Sequence, residues 1–340
     1  MSFFKRLINP NMVFPLSFVG TVVGGSLIAK DYFGGRECRC KNTIEGKTVI
    51  ITGANCGIGK ETALDLAKRG GRIILACRDE AKAQKACREI IAESDNQNVS
   101  VKLLDLASLK SIRKFAQEIN EEEKQVQILI NNAGVMRCPY KKTEDGYEYQ
   151  FAVNHLGHFL LTNLLLDKLK QSKPGRIITV SSIAHERGEI EFDDLNSEKN
   201  YDKAYAYSDS KLANVLFTHE LSRRLQGTGV TANCLHPGIV KTQIGRHTAM
   251  QNSQFSMSIL GPIFWMFVKT PVQGAQTTIE CAVNEKLETV SGKYFKDCKI
   301  TECDPKGRDD EVAIRLWNVS EQMVGLVSDV NLNNKETTSS

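Results

Sequence analysis

A β-branched run that ends in closely spaced glycines, with a helical pattern directly behind it, restricts the fold of this chain more than any other feature. Thr48 to Ile51 reads as a buried strand and passes straight into Thr52-Gly53-Ala54-Asn55-Cys56-Gly57-Ile58-Gly59. Ala63, Leu64, Leu66 and Ala67 then recur as one apolar helix face. Strand, glycine turn and helix N-terminus form an anion site, because backbone N–H groups and the helix dipole converge on it. The glycines allow a tight turn and a close approach to a pyrophosphate. Their spacing, G-x-x-x-G-x-G, departs from the longer G-x-G-x-x-G fingerprint, and glycines alone also mark ordinary turns. The flanking strand and helix select the phosphate reading, with Gly53, Asn55, Gly57, Ile58 and Gly59 as the expected lining.

The next strand candidate, Arg72 to Ala76, ends in Cys77-Arg78-Asp79. In a dinucleotide fold this point meets the adenosine ribose. An acid there suits the 2′-hydroxyl of NAD, and an arginine suits the 2′-phosphate of NADP. Arg78 comes first and points to NADP(H); the competing reading gives the ribose to Asp79 and leaves Arg78 solvated. Asp105-Leu106, after the apolar stretch Val99 to Leu104, falls near the adenine.

Further along, Tyr207-Ser208-Asp209-Ser210-Lys211 places a phenol and an ammonium one helical turn apart on a shared face. A tyrosine titrates near pH 10, too high for ready proton exchange at neutrality. A fixed lysine beside it is expected to lower that value and make a usable acid/base. A solvated helix face carries the same pair without function, so the order of the other motifs decides.

Thr52-Gly53 with Gly57-Ile58-Gly59, Asn131-Asn132-Ala133-Gly134, Asn154, Ser181-Ser182, Tyr207 with Lys211, and Pro237-Gly238 follow the order of the short-chain dehydrogenase/reductases, which the chain resembles from about residue 44 to about residue 300. Val153-Asn154-His155-Leu156-Gly157-His158-Phe159 and Ser291-Gly292-Lys293-Tyr294-Phe295 are similar to the retinol dehydrogenase branch of that family. The resemblance implies a catalytic set of Asn154, Ser182, Tyr207 and Lys211. Tyr207 would be the general acid/base, and Ser182 would bind the substrate oxygen. Lys211 would hold the nicotinamide ribose and favour the tyrosinate, and Asn154 would anchor a proton relay through water. Asn132, Gly134, Pro237, Gly238 and Thr242 would complete the cofactor pocket. The resemblance implies Ser182 and not Ser181, since the second serine of the pair faces the site in that family; successive strand residues face opposite ways, so only one of the two is expected there. One departure stands out: 25 residues separate Ser182 from Tyr207, about twice the spacing of many family members. The added charged segment, around Glu189 to Tyr201, reads as a surface insertion, and the retinol dehydrogenase branch shares it.

The expected architecture is therefore α/β, a single-domain Rossmann-type doubly wound parallel sheet over residues 44–326. No Pro/Gly/Ser linker divides it. The net charge of +4 on 340 residues is mild, and with no nucleic-acid motif present, nucleic acid is not an expected partner. The ten cysteines are scattered, only Cys38 and Cys40 lie close together, and no His/Cys run has metal-ligand spacing, so no metal is expected. Buried thiols in a reducing compartment are the plain reading. His155 and His158 read as helix packing.

Residues 1–36 are expected to hold a hydrophobic anchor and its flanks. Met12 to Ala29 is 18 residues without a charge, bounded by Lys5 and Arg6 before and Lys30 and Asp31 after. As a helix it would reach about 27 Å, just short of the roughly 30 Å hydrocarbon core. Pro15 and Gly20, Gly24 and Gly25 weaken a spanning helix, so a transmembrane anchor, an embedded or peripheral anchor and a cleaved signal compete; the stretch Cys38 to Lys41 lacks a clear small-residue cleavage site, which disfavours the last. The resemblance implies the mitochondrial inner membrane, with the endoplasmic reticulum membrane as the alternative. A second apolar stretch, Phe255 to Val268, is too short to span. It sits where this family builds its substrate lid and reads equally as core packing. Residues 330–340 form a polar tail. The implied activity is NADP(H)-dependent interconversion of all-trans-retinal and all-trans-retinol, favouring reduction. The alternatives are a reductase of lipid-derived aldehydes or steroids, and a cofactor-binding scaffold with incidental catalysis. Family members assemble as dimers or tetramers, so a homo-oligomer is allowed, although nothing in the sequence marks an interface.

Overall fold

The computed structural model describes residues 34–242 and 268–327, together with the single positions 21, 24, 25 and 244. The anchor, most of the second apolar stretch and the polar tail lie outside the described residues. Among the described residues no helix is long and apolar enough to cross a membrane.

Eight strands form one sheet in the order β3-β2-β1-β4-β5-β6-β7-β8. They are β1 (Thr48–Thr52), β2 (Arg72–Cys77), β3 (Val99–Leu103), β4 (Ile128–Asn131), β5 (Gly175–Val180), β6 (Val230–His236), β7 (Tyr294–Lys296) and β8 (Lys299–Thr301). All neighbours pair in parallel except β7 and β8. This antiparallel edge strand is an addition to the fully parallel sheet expected. Among the described residues, six longer helices cross over between strands: α1 (Gly57–Lys68), α2 (Glu80–Ser94), α3 (Leu109–Glu122), α4 (Gly157–Gln171), α5 (Lys203–Arg224) and α6 (Pro271–Val283). A seventh, α7 (Asp310–Met323), follows β8.

Both faces of the sheet are covered, so the strands read as continuous apolar runs that alternate between two cores. Val49 and Ile51 of β1 pack with Leu66 of α1, Ile90 of α2 and Ile279 of α6. Ile50 points the other way, into Phe115 of α3, Phe159 of α4, Leu216 of α5 and Trp317 of α7. Asp202 caps α5, its carboxylate accepting the Ala204 and Tyr205 amides at 2.7 and 2.9 Å, so the long helix starts at a fixed residue. The Glu189–Tyr201 segment is more than surface. Ile190, Phe192 and Leu195 pack against the core, and the Tyr201 hydroxyl donates to the Cys138 carbonyl at 2.6 Å.

Strand order reverses between β1 and β4, and a doubly wound sheet opens a crevice there at the carboxyl ends of its strands. Each segment singled out in the sequence leaves the carboxyl end of a strand. The glycine turn follows β1, Arg78 follows β2, the Asn132–Gly134 turn follows β4, Ser181-Ser182 follows β5 and Pro237-Gly238 follows β6.

Candidate active site

A cleft runs along that edge. Gly53, Asn55, Gly57, Ile58, Gly59, Arg78, Asp105, Asn132, Gly134 and Thr242 all line it. The backbone is shaped for close approach. Gly53 and Gly57 have φ of +66° and +58°, a region costly for side chains. A Cβ on Gly59 would stand 2.5 Å from Asn132 Nδ2 and 2.7 Å from the Gly53 carbonyl. Pro237 and Gly238 are not among the residues that line it; Gly238 has φ +92°, and a Cβ there would meet the Lys269 side chain at 2.7 Å.

At one end of the cleft, Asp79 and Arg78 are treated differently by their surroundings. Asp79 caps α2 by accepting the Lys82 amide at 3.0 Å, and it pairs with Lys82 Nζ at 2.8 Å. Those bonds hold its carboxyl below the ordinary value. Arg78 is exposed and swings over the cleft, where it donates to the Tyr149 hydroxyl at 2.9 Å.

The other end reaches the Tyr207–Lys211 pair through Gly134. A Cβ at that glycine would lie 3.3 Å from Asn154 Oδ1 and 3.6 Å from Lys211 Nζ. Helical spacing brings Lys211 Nζ to 5.8 Å from the Tyr207 ring centre, and Nζ donates to the Val180 carbonyl at 3.0 Å. The two serines part as strand alternation requires. Ser181 turns inward and donates to the Lys211 carbonyl at 2.8 Å, whereas Ser182 Oγ accepts the Ala184 amide at 3.2 Å. Ser182 also stands near enough to the Tyr207 hydroxyl to lower its pKa, despite the long insertion between them. Asn154 lies in a π-helical turn, Ala152–Leu156, just before α4. Its amide clips the Val135 backbone from both sides, at 2.8 and 2.9 Å, and donates to Ser210 Oγ at 2.9 Å. Single π-turns of this kind concentrate at functional sites.

Burial dominates the electrostatics. It pushes Tyr207 up to about 12, against the Ser182 hydrogen bond and the charge of Arg137. It also pulls Lys211 down to about 8. The expected lowering of the tyrosine by the lysine is thus not found: burial raises the phenol, and Ser182 and Arg137 are the groups that oppose it.

The family model for short chain dehydrogenase matches residues 47–253. The chain belongs to the short-chain dehydrogenase family. Within it the retinol dehydrogenase branch is the match. Retinol dehydrogenase 13 of Homo sapiens is 60% identical over 313 residues, covering 92% of this chain and 95% of that protein. A crystal structure of a Mycobacterium paratuberculosis protein superposes with a TM-score of 0.68 at 34% identity, over 86% of this chain and 98% of that one. The Pseudomonas aeruginosa RhlG/NADP active-site complex shares the fold at a TM-score of 0.60 and 23% identity, over 74% of this chain and 95% of that one. The protein is accordingly a nicotinamide-cofactor oxidoreductase of the short-chain type.

Two residues of this short-chain dehydrogenase escape a reading of its sequence. His158, expected only to pack, is wholly buried and bridges two motifs. Its Nδ1 meets the Asn154 carbonyl at 3.0 Å, so that nitrogen carries the proton. Nε2 then accepts from the Thr52 hydroxyl at 2.9 Å. Thr52 Oγ1 in turn accepts the Asn132 and Ala133 amides, both at 2.9 Å. Burial drops His158 to about 4, which keeps it neutral. Arg137 is the second, held at φ +54° with its amide on Gln150 Oε1 at 2.6 Å and its charge toward Tyr207. Backbone strain of that kind clusters at functional sites. The signal available for His158 was its i, i+4 spacing from Asn154; none marked Arg137.

Proposed function

We propose that the protein is an NADP(H)-dependent oxidoreductase interconverting all-trans-retinal and all-trans-retinol, favouring reduction, with Tyr207 as its general acid/base. The observation that carries this reading is one continuous cleft with Arg78 at one end and the Ser182–Tyr207–Lys211 set beyond Gly134 at the other. Similarity to Retinol dehydrogenase 13 supports the substrate class. For the cofactor, Asp79 is already committed to the α2 cap and Lys82, which leaves Arg78 and not a carboxylate to receive a ribose substituent. The glycine turn accepts a pyrophosphate where any side chain on Gly59 would collide.

When bound, the nicotinamide group supplies or takes up the hydride. Ser182 holds the substrate oxygen, where negative charge grows during reduction. Tyr207 delivers a proton to that oxygen; it is protonated at neutral pH, and although burial makes it a weaker acid, the alkoxide formed by hydride transfer is a stronger base than the tyrosinate and takes the proton. In oxidation the same hydroxyl takes the proton back. Lys211 spends one of its three donors on Val180 and keeps two for ribose hydroxyls. Asn154 fixes the Val135 backbone and, through Ser210, the start of the proton path toward Lys211. Pro237, Gly238 and Thr242 close the cofactor pocket from the β6 side. Membrane attachment through Met12 to Ala29, at the mitochondrial inner membrane, belongs to the same reading.

The test is turnover of all-trans-retinal, nonanal and a ketosteroid by the full chain in mild detergent, beside Tyr207→Phe. Retinal should be the preferred carbonyl. The variant should lose about 10²- to 10⁴-fold in kcat with NADPH affinity kept. Preference for nonanal or the steroid would replace the substrate, and a fully active Tyr207→Phe would remove the tyrosine from the chemistry.

A further inference from the structure

Apart from the cleft, one cluster of ligating side chains stands out. Cys38 and Cys40 lie in the segment that leads into β1, and Glu280 lies 240 positions beyond Cys40, in the last turn of α6. The two sulfurs and a carboxylate oxygen fall within 4.8 Å of one another. A tetrahedral zinc with Zn–S of about 2.3 Å needs its sulfurs about 3.8 Å apart, so a small closing motion completes the geometry.

The surroundings hold the donors in place, as ligating groups require. The Cys38 amide donates to Gln276 Oε1 at 2.9 Å. Arg69 grips the carbonyls of Cys40 and Asn42 at 2.7 and 2.9 Å, which fixes the turn that presents both thiols. Glu280 divides its two oxygens: Oε1 accepts from Asn284 Nδ2 at 2.6 Å, and Oε2 receives the Cys40 thiol at 3.4 Å. One carboxylate oxygen is thus oriented by a neighbouring amide while the other faces the sulfurs.

We propose that Cys38, Cys40 and Glu280 bind a zinc ion that fastens the segment preceding β1 to α6. Two thiolates and a carboxylate supply three tetrahedral ligands and more than neutralise the ion, leaving the site one negative charge, with water in the fourth position. Binding releases the two thiol protons to solvent. No electron transfer is involved. A disulfide between the same cysteines would need no carboxylate, whereas here one is oriented onto the sulfurs from a distant helix.

The test is a cobalt(II) titration of the reduced, chelator-treated full chain in mild detergent, followed by displacement with zinc. The expected result is one cobalt per chain, a thiolate-to-cobalt charge-transfer band, and loss of the band on adding zinc. Cys38→Ser with Cys40→Ser should abolish the band while NADPH binding persists. Asn284→Ala should keep the band but weaken affinity about 10- to 100-fold, as orienting partners do. Should the serine variant fail to fold, zinc protection of Cys38 and Cys40 against alkylation in the wild type replaces it. Absence of the band, a band unchanged in the serine variant, unprotected thiols, or a Cys38–Cys40 disulfide in the purified protein would each overturn the proposal.

Discussion

Replacing Thr52 by valine removes one hydroxyl and almost no volume, so it isolates the polar junction under the active site. In the wild type this hydroxyl accepts two amides and donates to His158 Nε2, all at 2.9 Å. Valine leaves the Ala133 amide and His158 Nε2 without partners, while the Asn132 amide keeps the Ile130 carbonyl at 3.0 Å. A buried unsatisfied group costs roughly 1–3 kcal/mol. Ala133 is only half-buried, so its amide falls at the low end, and wholly buried His158 costs somewhat more. The expected loss is about 2–3 kcal/mol. Unfolding entropy of about 2.1 cal/mol/K per residue gives about 0.7 kcal/mol/K for a chain this long, and hence a Tm lower by about 3–4 °C. Thermal unfolding of the full chain in mild detergent measures it. Thr52→Ser keeps the hydroxyl and should cost only about 1 kcal/mol for the lost methyl. A valine variant as stable as the wild type, or a serine variant as damaged as valine, would refute the junction.

Two further outcomes follow from the cleft and the lysine. Gly59→Ala forces a methyl to within 2.5 Å of Asn132 Nδ2 and 2.7 Å of the Gly53 carbonyl, so calorimetry should show NADPH affinity reduced far more than the fold is destabilised; unchanged affinity would contradict the phosphate turn. Lys211 titrates at about 8, below the ordinary 10.5, so its ammonium is present below pH 8 and is lost above it. NADPH affinity should therefore be flat up to about that pH and fall beyond it, while an affinity indifferent to pH across this range would remove Lys211 from the ribose.

Local chain rules made most of this fold and site legible. The strand–glycine–helix unit, the Asn131–Gly134 turn and the Tyr207–Lys211 spacing are each set within a few residues, and each stands at the carboxyl end of a strand or one turn into a helix. What the sequence hid depends on distance or burial. The Thr52–His158 bond joins residues 106 apart, so a buried histidine that bridges two motifs read as packing. Cys40 and Glu280 meet across the whole domain. The raised Tyr207 pKa is hidden because spacing reveals a neighbouring lysine but not the loss of water that dominates, nor the Arg137 charge that opposes it. The charged look of Glu189 to Tyr201 concealed Ile190, Phe192 and Leu195, three apolar anchors too irregularly placed to show a period.

The most direct test of the central claim is steady-state reduction of all-trans-retinal with NADPH and NADH side by side, for the wild type and Arg78→Ala. A charge-assisted hydrogen bond is worth about 1.5–3 kcal/mol, so the wild type should prefer NADPH and the variant should lose about 10- to 100-fold of that preference, with its NADH activity kept. Turnover with NADH alone, or a preference that survives Arg78→Ala, would contradict the account.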